Sequence, residues 1–182
     1  MTAPGRRLAA VAIAALLAAG CNNPFDPKAD VELTDMTDNG NYTEVRVFQT
    51  DVPGGGQPLP LYLWAVRCQF VVKNLVGVNL TSVDITYTDL NGNEVTAYKT
   101  TGGRHFKFAY RLSPVSNNGS TDAGEGLYST VTIYLVDRNV ITELQSPAYP
   151  SDHFMFAAVT FRGEDDNGHD VKLTGRITIK YF

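Results

Sequence analysis

The sequence predicts an all-β fold: an antiparallel β-sandwich of about nine strands with at most one short helix. Three observations carry that expectation. Apolar and polar residues alternate with a period of two over many stretches, Asn-Gly turns stand between such stretches, and no long run has the 3.6-residue period of an amphipathic helix. The chain has 182 residues, with 15 Lys and Arg against 19 Asp and Glu.

The first strands are expected near 31–36 and 42–50, the second placing Val45 and Val47 on one face. The third, near 59–73, is apolar on both alternation sets at its start. Leu61, Leu63 and Ala65 fall on one side, and Trp64, Val66, Cys68 and Phe70 on the other. That pattern suits a central strand covered on both faces. Val83, Ile85 and Tyr87 alternate with Asp84, Thr86 and Thr88 and mark a strand near 82–90. Asn91-Gly92 then turns the chain toward a strand near 94–101.

A strand near 104–112 puts Phe106, Phe108, Tyr110 and Leu112 on one face, and Val131, Ile133 and Leu135 mark another near 129–137. Residues 138–145, with Val140, Ile141 and Leu144, form the one helical pattern. The last two strands, near 154–164 and 170–181, flank Asn167-Gly168. The adjacent Ala157 and Ala158 suggest a bulge in the first of them. In the second, Val171, Leu173, Gly175, Ile177, Ile179 and Tyr181 alternate with polar residues throughout. The two turns align in a weak repeat, DLNGNEV at 89–95 against DDNGHDV at 165–171. Equivalent hairpins or convergence on favourable turn chemistry would each account for it.

Ahead of the strands lies a different kind of segment. Arg6 and Arg7 precede an apolar run from Leu8 to Ala19, and small residues follow up to Cys21. This is the pattern of a secretory signal, and its 12 apolar residues fall short of the ~20 a membrane-spanning helix needs. Ala18-Ala19-Gly20-Cys21 resembles the lipobox of bacterial lipoproteins, with Ala18 where Leu is commonest and Leu16 and Leu17 just upstream. The resemblance implies that Cys21 is lipid-modified and becomes the first residue. Residues 1–20 are then a signal peptide, 21–30 a lipidated Cys and tether, and 31–182 a single domain. Asn22 to Asp30 contains two prolines and would extend at most ~30 Å. Asn22 stands where Asp marks inner-membrane retention in enterobacterial lipoproteins, which favours the outer membrane.

Cleavage before Cys21 removes Arg6 and Arg7, leaving 13 basic residues against 19 acidic ones, a net charge of −6. With no basic run, nucleic acid is not an expected partner. The two cysteines, Cys21 and Cys68, offer two arrangements. A lipid on Cys21 leaves Cys68 as a small core hydrophobe; an unmodified Cys21 could pair with it in an exported compartment.

The segment VTFRGEDDNGHDVKLTGRITI at 159–179 resembles the last two strands of immunoglobulin-like modules in bacterial surface proteins. The likeness covers about a fifth of the mature chain. It implies an immunoglobulin-like sandwich without the antibody framework, because Trp64 and Cys68 share one strand and no partner Cys exists near 161.

Candidate sites are sparse. Glu164, Asp165, Asn167 and Asp170 form an oxygen-rich cluster of the type calcium takes, as do Asp89, Asn91, Asn93 and Glu94. Neither fits an EF-hand loop, which needs Gly at its sixth place and Glu at its twelfth. His105, His153 and His169 are scattered, and Ser151-Asp152-His153 is consecutive, so the geometry of a hydrolase triad is not expected from it. No nucleophile elbow, phosphate loop or dinucleotide fingerprint occurs, and no cofactor is implied. Tyr98, Tyr128 and Tyr149 are the aromatics expected at the surface, where a glycan could stack.

The sequence therefore reads as a non-catalytic lipoprotein of the bacterial cell envelope. It would be anchored to a membrane through Cys21 and act as a structural or protein-interaction module. The alternative is a β-sandwich binding carbohydrate or calcium at the cell surface.

Overall fold

Among the described residues, eight strands and one short helix form the folded body. The computed structural model describes residues 26–54, 57–95, 98, 102–114, 128–146 and 154–182. In chain order they are β1 (Val31–Asp38), β2 (Glu44–Val47), β3 (Ala65–Val72), β4 (Val78–Thr88), β5 (Arg104–Leu112), β6 (Ser129–Tyr134), α1 (Arg138–Leu144), β7 (Phe154–Asp165) and β8 (Asp170–Tyr181). They form a three-stranded sheet in the order β1-β3-β6 and a five-stranded sheet in the order β2-β8-β7-β4-β5.

The body is mostly β, as the alternation predicts, with three differences. Among the described residues there are eight strands, and the stretch expected as a strand near 94–101 contributes only one bridge, Thr88 to Glu94. The Tyr98 N–H donates to the Val95 carbonyl, and residues 96, 97 and 99–101 of that stretch lie outside the described residues. The larger sheet is mixed, because β2 runs parallel to β8. The apolar start of the third expected strand is a short 3₁₀ turn, Leu61–Trp64, and β3 begins at Ala65. Of this turn Trp64 is fully buried, while Tyr62 and Leu63 are exposed, so the apolar run is not a strand covered on both faces.

One buried cluster joins both sheets. Phe70 of β3 meets Phe161 of β7 edge to face at 5.0 Å, and Phe108 of β5 packs against the same ring at 6.3 Å. Such aromatic contacts add to the ~1.5–3 kcal/mol that burying each large apolar side chain contributes. Gly175 of β8 leaves the space that Met36 and Leu33 of β1 fill, so a small residue sets where the first strand crosses the larger sheet. Register runs unbroken through Ala157 and Ala158. The irregularity lies on the neighbouring strand, between Leu80 and Ser82 of β4.

α1 occupies residues 138–144, close to expectation, and Asp137 caps it by accepting the Val140 N–H at 3.0 Å. Val140, Ile141 and Leu144 turn inward, which is the spacing of one helical face.

Candidate functional site

The two Asn-Gly turns are built alike, atom for atom. The Asp89 N–H donates to the Asn93 carbonyl at 2.9 Å, and the Gly92 N–H donates to the Asp89 carbonyl at 3.2 Å. The same pair of bonds joins Asp165 to His169 at 2.9 Å and Gly168 to Asp165 at 3.0 Å. Gly92 and Gly168 have φ of 82° and 83°, while the Asn before each keeps a negative φ. These are three-residue loops closed by a left-handed Gly, where a two-residue type I′ turn would need both residues left-handed. In each, the leading Asp accepts two further backbone N–H bonds on Oδ1: Asn91 and Asn93 at Asp89, Asn167 and His169 at Asp165. The sequence repeat is thus a repeat of turn chemistry.

Asp165 differs from Asp89 in what else it holds. It is buried, and its Oδ2 accepts the Ala29 N–H at 2.9 Å and faces His169 Nδ1 at 3.1 Å. Burial pushes its carboxyl upward. The N–H groups of His169, Ala29 and Asn167 and the His169 ring outweigh that and hold it down to about 2. On the other side of the His169 ring, Nε2 lies 3.3 Å from Asp26 Oδ2.

These contacts belong to a longer seam. Each of five consecutive residues has a partner in the body: Asp26 on His169, the Pro27 carbonyl on Asn167 Nδ2 at 2.7 Å, the Lys28 carbonyl on Asn74 Nδ2 at 2.7 Å, the Ala29 N–H on Asp165, and the Asp30 carbonyl on the Lys73 N–H at 2.7 Å. The bend between β3 and β4 closes the set. The Gly77 N–H donates to Asp166 Oδ2 at 3.0 Å, and the Asp166 N–H donates back to the Gly77 carbonyl at 3.0 Å. Arg111 grips the same Asp166 carboxylate with two bonds of 2.7 Å, which lowers the Asp166 carboxyl. The segment expected to be a tether is therefore a strap laid against one end of the body from Asp26 onward.

The strap accounts for the oxygen-rich cluster. Asp165 turns inward with both oxygens taken by protein donors, and Asn167 holds the Pro27 carbonyl. Glu164 and Asp170 are exposed and directly opposed across β7 and β8. No group of three or more His, Cys, Asp or Glu among the described residues is placed to hold a metal. Asp26 and Asn74 escaped the sequence reading because their partners are distant in sequence.

One other expected site residue is placed differently. Tyr98, expected at the surface, is buried; it stacks on Tyr87 at 4.7 Å and donates to Asp137 Oδ1 at 2.6 Å. Tyr128 is exposed, and Tyr149 lies outside the described residues, as do His153 and Cys21. His105 pairs with Asp84, which also accepts Arg162 Nε at 2.7 Å; the Arg162 guanidinium first and His105 second lower the Asp84 carboxyl. This is a surface charge cluster on β4, β5 and β7.

One cavity of about 370 Å³ opens between β5 and β6, lined by Val83, Ile85, Phe106, Phe108, Val131 and Ile133. Arg104 stands beside it, but its guanidinium is committed to Asp137, the Tyr87 hydroxyl and the carbonyls of Tyr134 and Leu135. The cavity's lining is mostly apolar, with Thr132 and Tyr134 also on it. No described helix is long and apolar enough to cross a membrane. No protein-family model matches the chain, and no curated protein matches it.

Proposed function

We propose that this chain is a non-catalytic lipoprotein of the bacterial cell envelope. A lipid on Cys21 anchors it, and an immunoglobulin-like β-sandwich serves as a structural or protein-interaction module. The observation that carries the reading is the sequence Leu16-Leu17-Ala18-Ala19-Gly20-Cys21 behind a positively charged, apolar leader.

The strand order supports the domain part. β1-β3-β6 fits the A-B-E sheet of an immunoglobulin-like sandwich, and β8-β7-β4-β5 fits G-F-C-C′. Cys68 is buried on β3, the place of the small core hydrophobe that a lipid on Cys21 would leave. The outer membrane is the proposed location, from Asn22 after the modified Cys.

Growth of the source bacterium with an alkyne-bearing fatty acid, followed by pull-down, tests the anchor. The wild-type protein should take up the label and sediment with membranes, and Cys21→Ala should do neither. Equal labelling and equal sedimentation of the two would remove the reading.

A further inference from the structure

Resting on the lipid-anchor reading, we infer that the end of the domain carrying the strap lies against the bilayer surface, with Leu75 seated in it. The chain length fixes the first half of this. Asp26 is held at His169, so only residues 21–25 separate the lipid attachment from the first fixed contact. Five residues reach at most about 17 Å. A free tether of nine residues would let the domain take any orientation, but a strap bonded at five successive residues does not.

The second half comes from the bend beside the strap. Lys73, Asn74 and Gly77 of that bend bond to the strap and to the β7–β8 turn, so the bend is part of the same end. Leu75 at its tip is 84% exposed, the most exposed large apolar side chain among the described residues. Its neighbour Val76 is buried, so the bend is anchored beneath while Leu75 is held outward. A leucine fixed outward within reach of a lipid anchor is placed to enter the acyl boundary of that membrane. Burying it there adds to a lipid chain's hold on the membrane. The opposite end, with Leu90 in the Asp89 turn, lies one length of β4 away, roughly 33 Å.

The acylated full-length protein, extracted from membranes and reconstituted into phosphatidylethanolamine–phosphatidylglycerol vesicles, provides the test. Leu75→Cys and Leu90→Cys each carry a polarity-sensitive fluorophore, and a nitroxide on the lipid acyl chains acts as quencher. Buried Cys68 stays unlabelled in the native protein. The label at 75 should shift to the blue and be quenched at least several-fold more than the label at 90. Asn167→Ala combined with Asn74→Ala, which releases the Pro27 and Lys28 carbonyls, should bring the two labels closer together. Intact mass is read on the same samples. Acyl mass present with both labels in water overturns the docking and leaves the anchor standing; acyl mass absent overturns both.

Discussion

Asp165 and Ala29 stand 136 residues apart and are joined by one hydrogen bond, the Ala29 N–H donating to Asp165 Oδ2 at 2.9 Å. That bond ties the chain ahead of β1 to the turn ahead of β8. It converts a proline-containing lead-in into part of the folded body.

Replacing Asp165 with Asn should destabilise the domain by roughly 1–3 kcal/mol, because a buried acceptor of several donors is lost. Its carboxyl is held at about 2 in the folded state and titrates near ~3.9 when unfolded. A depressed pKa contributes stability that is present above the unfolded value and lost as pH falls through the folded one. The gap between wild-type and Asp165→Asn should therefore narrow as pH drops from about 4 toward about 2. Urea midpoints at stepped pH check this; a gap that widens on acidification would contradict it.

Arg111→Ala offers the contrast. Its bidentate grip on Asp166 has good geometry, yet both side chains are well exposed, and exposed pairs contribute little to stability. Urea midpoints for this variant should fall well short of the Asp165→Asn effect. An equal loss would mean the strap end depends on its surface charges.

Gly163→Ala tests the irregularity in β4. A Cβ at Gly163 would overlap the backbone carbonyl of Asn79, which no rotamer change can relieve. Overpacking of this kind costs roughly 1–3 kcal/mol. Thermal melting should show the loss, with Gly54→Ala as control because nothing lies near that position.

Cys68 should be chemically silent in the folded protein. It is fully buried, and burial first, the Asp35 charge second, push its thiol up to about 12. Iodoacetamide at neutral pH should label it only after unfolding in guanidinium. Labelling of the native protein would show that β3 is exposed to solvent.

Most of the fold was legible because period-two alternation is a local property. Ile177 and Ile179 are buried as their pattern predicts, and α1 falls on Val140, Ile141 and Leu144. Partnering was not legible. Tyr98 reads as a surface aromatic until Tyr87 and Asp137 are brought to it, and Phe106 reads as inward although it is 40% exposed beside the β5–β6 cavity. The Asp-Leu-Asn-Gly and Asp-Asp-Asn-Gly turns could be placed from sequence, but only the fold distinguishes Asp89, which serves its own loop, from Asp165, which also holds Ala29.

Intact mass of the protein extracted from membranes decides whether Cys21 carries the proposed lipid. A species starting at Cys21 with acyl mass added is expected. A mature species whose Cys21 bears no acyl mass, or a chain that retains residues 1–20, would overturn the lipid anchor.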